Sequence, residues 1–105
     1  MIVLRVERAR RGYKPDGPSW CIQWDEDSEL ELAQAAIGPW EVEEAFLNGA
    51  FFALSKLRAD HAKMVGVTNE GRYVTVILQL NRVARLLRPL TGWNSTPEER
   101  NQHNG

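Results

Sequence analysis

Residues 61–80 read HAKMVGVTNEGRYVTVILQL. Small or apolar side chains recur at every second position through much of this stretch, the period of a strand that shows alternate residues to opposite faces. Asn69-Glu70-Gly71 interrupts it with the composition of a short hairpin loop. Residues 72–80, RYVTVILQL, are rich in β-branched residues, which pack well on a pleated surface. The stretch therefore predicts two antiparallel strands at the heart of a sheet.

The neighbouring segments extend that sheet. Leu80-Asn81-Arg82 turns the chain into residues 83–93, VARLLRPLTGW, a further strand. Pro89 has no N–H to give to a ladder, so it belongs at an edge or a bulge. Residues 50–55, AFFALS, are a shorter strand candidate, and in WCIQW (20–24) Trp20, Ile22 and Trp24 would share one face.

The segment between these strands is helical. Asp25 stands where an N-cap would, followed by acids that favour the positive end of a helix. Leu30, Ala33 and Ile37 have helical spacing and predict its apolar stripe. Gly38-Pro39 closes this helix and opens another, with Pro39 at its first position. Val42, Ala45 and Phe46 form the second stripe, and Gly49 offers a left-handed cap. Thr96-Pro97-Glu98-Glu99 is a capping box for a short C-terminal helix. The predicted fold class is α+β: a compact antiparallel sheet of three to five strands, two helices packed on one face, and a short terminal helix. The other sheet face would be open. Residues 1–19 are read as an N-terminal strand or arm, and 102–105 as a frayed tail.

Charge is segregated along the chain. Residues 25–46 hold eight acidic and no basic side chains, whereas residues 55–95 hold seven Lys or Arg against two acids. The pattern suggests one surface for a basic partner and one for a polyanion, or solvated charge on two unengaged surfaces. At 105 residues, with Cys21 its only cysteine, the chain is one domain without an internal disulfide or a cysteine-based zinc site. It has no Gly-rich phosphate loop after a strand and no calcium-loop motif. No apolar run reaches membrane-span length, and a cytoplasmic location is expected.

WDED (24–27) before a helix, GPWEVEEAF (38–46), VGVTNEGRYVTVI (65–77) and RPLTGWNSTPEER (88–100) occur in that order. Together they resemble the BrnT-like toxin family of bacterial type II toxin–antitoxin systems, over residues 20–101. The resemblance implies a RelE-like fold, metal-independent endoribonuclease activity that blocks translation, and no cofactor. It implies a cognate antitoxin with a ribbon-helix-helix DNA-binding region, an RNA substrate, and DNA contact only through the antitoxin complex. Where relatives commonly carry Lys-His-Gly at the end of the first helix, this chain has Gln34-Ala35-Ala36. Neither Gln nor Ala can move protons or neutralise phosphate, so the resemblance also admits a catalytically weakened binding module.

Metal-free RNA cleavage needs a base, an acid and cations for the developing phosphate charge. The candidates are Arg72 and Arg88 as phosphate clamps and His61 as general acid or base. Lys56, Arg58 and Lys63 would guide RNA electrostatically, and Trp93 could stack on a base. Each has a plainer alternative: Arg72 as a solvent-exposed turn residue, Arg88 paired with a helix carboxylate, His61 as a structural strand histidine, Trp93 as packing.

Overall fold

A computed structural model describes residues 20–105; the expected N-terminal arm, 1–19, lies outside the described residues. The elements follow in the order β1 (Cys21–Ile22), α1 (Glu26–Ala33), α2 (Pro39–Leu47), β2 (Phe51–Leu54), β3 (His61–Val67), β4 (Tyr73–Asn81), β5 (Leu86–Asn94) and α3 (Pro97–Asn104). They form one five-stranded sheet ordered β1-β5-β4-β3-β2. Strands β2 to β5 are an antiparallel meander, and the short β1 adds to β5 in parallel. The chain is α+β, as the pattern predicted.

Alternation along β4 assigns the two faces. Val74, Val76, Leu78 and Leu80 are buried in the core with Ala62 and Met64 of β3 and Leu87 of β5. Helices α1 and α2 cover this face, contributing Leu32, Val42 and Ala45, with Ile37 from the turn between them. Tyr73, Thr75, Ile77 and Gln79 point the other way. Helix α3 packs against that second face at one end only: Tyr73 Oη donates to Asn104, and the rings of Tyr73 and His103 meet edge-on at 5.6 Å. Residues 102–104, expected to fray, are thus helical and held by Tyr73.

Helix α1 starts as predicted. Asp25 accepts from the Ser28 amide at 2.8 Å, and the Ser28 hydroxyl returns the contact to the cap. Its buried stripe is not the predicted one. Ser28 and Leu32 face the sheet, while Leu30 is 57% exposed and Ala33 is open to solvent. Eight residues make barely two turns, so two apolar stripes fit the same period and only the packing decides between them. Leu32 wins because Gly92 on β5 leaves room for it: a Cβ at Gly92 would meet Leu32 Cδ2 at 2.7 Å. Helix α2 lies close to β3 in the same way, over Gly66.

The β4–β5 ladder holds one irregularity. Ile77 pairs with Thr91 and Leu78 with Pro89, so Leu90 is extra. A bulge of one residue reverses which side chains face which way beyond it. In a regular ladder Arg88 would stand opposite Leu80, in the core. The bulge places Leu87 opposite Leu80 and Arg88 opposite Gln79, on the open face. Pro89 sits at this bulge, as its missing N–H predicts.

Candidate functional site

The sheet register builds a row of polar side chains across the open face. His61 of β3 pairs with Gln79 of β4, which pairs with Arg88 of β5. Neighbouring strands lie roughly 4.8 Å apart, so the backbones of His61 and Arg88 are separated by about 10 Å. That spacing suits a phosphodiester held between the two side chains. The next row is Lys63, Ile77 and Thr91, and then come Val65, Thr75 and Trp93.

Asp60 organises the row. Its backbone carbonyl accepts from the Leu80 amide, and its carboxylate accepts from Gln79 at 3.4 Å. The same carboxylate lies 3.9 Å from His61 Nε2 and 3.9 Å from Arg58. The Gln79 amide, against a small cost of burial, holds the Asp60 carboxyl below its ordinary range, and its own backbone amide, His61 and Arg58 add to this. The Asp60 carboxylate beside the ring can orient it. A shallow cavity of about 510 Å³ opens here, lined by Gln23, Asp60, Gln79, Arg82 and Arg88 among others.

Two loops adjoin this cavity, through Ala59 of one and Arg82 of the other. In the β2–β3 loop the Ser55 hydroxyl accepts from the amides of Leu57 and Arg58, a local turn that leaves Lys56 and Arg58 exposed. In the β4–β5 loop Asn81 accepts from the Ala84 amide, and Arg82 donates to the Ala59 carbonyl, tying the loops together. Arg82 and Arg85 are exposed. Arg88 pairs with Asp25 through Nε, with Nη2 at 3.4 Å from the other oxygen. The Arg88 guanidinium, followed by the Ser28 hydroxyl and amide, holds the Asp25 carboxyl far below the usual carboxylate range.

Arg72 is elsewhere. It directly precedes β4, seven residues from Gln79, roughly 23 Å for extended chain, and donates to groups on the helix-covered side. Its Nε donates to Asn94, Nη2 to the Ala35 carbonyl, and Nη1 to the Ala36 carbonyl and to both oxygens of Glu41. This is not an exposed turn arginine: four of its five N–H donors are taken up by its own protein. Burial pushes the Glu41 carboxyl up, but the Gly38 amide and then Arg72 outweigh it and hold it below its ordinary value. The expected trio of Arg72, Arg88 and His61 therefore does not converge: the last two share a row and the first staples the α1–α2 turn.

The remaining candidates are held by α3 or lie on the loops. Lys63 Nζ lies 3.4 Å from Glu99, and Trp93 Nε1 donates to the same carboxylate at 3.0 Å. Trp93 is 36% exposed, so its ring keeps one accessible side. Burial raises the Glu99 carboxyl, and the Thr96 amide, Trp93, Thr75 and Lys63 more than reverse it. Lys56 and Arg58 are exposed on the β2–β3 loop, Arg58 within 3.9 Å of Asp60. Gln79 and Asp60 were missed in the sequence, although Gln79 is the one polar residue in VILQL and Asp60 directly precedes His61.

Asp25, Glu41, Asp60 and Glu99 are all held below their unfolded values, which lie near ~4. Their contribution to stability is complete above that range and is lost as the pH falls through the lower folded values. The melting temperature is expected to be level from neutrality to about pH 5 and to drop steeply below about pH 4. Arg88→Gln should make the acid limb shallower, measured by thermal unfolding across the pH series.

Among the described residues, no three His, Cys, Asp or Glu side chains are grouped so as to hold a metal ion, and no helix is long and apolar enough to cross a membrane. No family model, curated protein or solved structure matches the chain.

Proposed function

We propose that this protein binds single-stranded RNA on its open sheet face and cleaves it without a metal, as the toxin of a toxin–antitoxin pair. The observation that carries the reading is the His61–Gln79–Arg88 row beside Asp60, with exposed cations Lys56, Arg58, Arg82 and Arg85 on the β2–β3 and β4–β5 loops. In this reading the scissile phosphate sits between His61 and Arg88. The Arg88–Asp25 pair uses Nε and Nη2, leaving Nη1 for a phosphate oxygen. His61 exchanges a proton with the attacking 2′-hydroxyl or the leaving 5′-oxygen, and Asp60 orients it. Trp93, two rows along, offers a stacking surface for a base.

The test is cleavage of a single-stranded RNA by the purified full chain in excess chelator, with growth arrest on induced expression as a second readout. His61→Ala and Arg88→Ala should each reduce cleavage by about a hundredfold, the usual scale for a lost proton-transfer group or phosphate cation. Their folding should be checked by circular dichroism.

One observation favours a second reading, a binding module that engages RNA or an antitoxin without cleaving. The resemblance places a Lys-His pair where Gln34-Ala35 stand, and in this chain the carbonyls of Ala35 and Ala36 close that corner onto Arg72. RNA binding by the wild type with no cleavage would move the protein to this class. No RNA binding would sink the first reading and leave only antitoxin engagement to the second.

A further inference from the structure

We propose that the groove between α1 and α2 is a docking site for a basic, amphipathic helical segment of a partner protein. This does not rest on the RNA reading, because the groove lies on the helix side of the sheet, away from the open face.

The groove has a volume of about 520 Å³ and is lined by Glu26, Glu29, Leu30, Ala33, Ile37 and Trp40, with neighbours from the α1–α2 turn. Residues 26, 29, 30 and 33 are one face of α1, since they are spaced by three and four. The helix thus has two usable faces. Leu32 and Ser28 are buried on the sheet; Leu30 and Ala33 are left open beside Trp40, which is 66% exposed. The Trp40 ring covers Gly38, so the indole is braced against the turn. A braced, exposed tryptophan beside an exposed leucine is the composition of an interface centre, where Trp carries a disproportionate share of binding energy.

Charge selects the occupant. The acids of α2 are engaged inside the protein: Glu41 with Arg72, Glu43 with the Trp24 indole, Glu44 with the Asn69 amide. Glu26 and Glu29 of the groove rim make no such pair with a described side chain, and residues 25–46 contain no cation. An apolar floor with an uncompensated acidic rim fits a segment that has aliphatic residues on one face and Arg or Lys on its flanks. A described helix of a second copy does not fit: α1 and α2 carry no Lys or Arg, and α3, PEERNQHN, has no Leu, Ile, Val, Met, Phe, Tyr or Trp to offer.

The probe is a labelled synthetic helix-forming peptide with leucines at helical spacing and arginines on the flanking positions, titrated by anisotropy into the full chain. A single saturable site is expected. Trp40→Ala and Leu30→Glu should each weaken it by about tenfold or more, and the Glu26→Lys, Glu29→Lys double variant likewise, in line with loss of a central anchor. A matched peptide with glutamate for arginine should not bind. Both Trp40 and Leu30 are exposed, so folding should survive; unchanged melting temperatures would confirm it. The proposal is overturned if these variants bind as the wild type does, or if the acidic peptide binds equally. It is also overturned if the chain dimerises through Trp40, or if peptide binding emerges only after residues 1–19 are removed, which would make that segment the occupant.

Discussion

Replacing Arg72 with alanine is expected to destabilise the protein by about 3–5 kcal/mol, the scale for removing one partner of a largely buried ion pair. Three kinds of loss combine. Glu41, whose side chain is 16% exposed, keeps its charge and loses its counter-ion. The carbonyls of Ala35 and Ala36 lose their donors. Ala36 is also held at φ 56°, a left-handed conformation that costs a non-glycine residue roughly 1 kcal/mol and persists only when its surroundings enforce it. On a domain of this size the melting temperature should fall by on the order of 15 °C. Arg72→Lys should recover part of this, because one ammonium cannot reach Asn94, Glu41 and two carbonyls together. Chemical denaturation of the single and double variants with Glu41→Gln would measure the coupling directly. If Arg72→Ala left stability unchanged and abolished RNA binding alone, the phosphate-clamp role would be restored.

Gly66→Val is expected to cost about 3 kcal/mol or more, toward the upper end of overpacking penalties. A Cβ at Gly66 would stand 2.8 Å from the Ala45 Cβ and 2.9 Å from the Ala45 carbonyl oxygen. The obstacle is backbone, so no rotamer change can relieve it and α2 would have to lift from β3. Gly71→Ala is the instructive contrast. Nothing lies within 4 Å of the added atom, but φ is +88°, so the cost is conformational, about 1 kcal/mol. One glycine is required for space and the other for its dihedral angle. Paired denaturation curves should separate them by about 2 kcal/mol.

Much of the fold was legible in the sequence because it is written in local chemistry. The β3–β4 hairpin follows from alternation around Asn69-Glu70-Gly71, and α1, α2 and α3 from Asp25, Pro39 and Thr96. The errors share a cause. Leu30 was read as core and Leu32 was not, since periodicity in an eight-residue helix cannot say which of two stripes meets the sheet. Arg72 was placed with His61 because both lie in the meander, whereas strand register and face decide proximity. Charge segregation alone leaves the acids of residues 25–46 either as a partner surface or as solvated charge. Asp25, Glu41, Glu43 and Glu44 instead find partners 19 to 63 positions away, a distance at which sequence carries no pairing signal. The plainer alternative for Arg88, a helix carboxylate, is the one observed, and it coexists with a place on the open face.

If the groove on α1 and α2 holds a partner, that partner and a ligand on the open face occupy opposite sides of one sheet. Inhibition by such a partner would have to act through the strands or through a second segment reaching around them. A partner that merely docks there would leave the His61 row accessible.

The extra residue at Leu90 has a consequence for how this strand is compared with any other. Both halves of β5 keep phase with β4 only because one position is skipped. A straight strand aligned to it without a gap will match inward residues to inward ones on one side of Leu90, and inward to outward on the other. Arg88 would then be equated with a core position and Leu87 with one on the open face. Correspondence along this strand has to be counted from the bulge in both directions, as one counts from a splice in a rope.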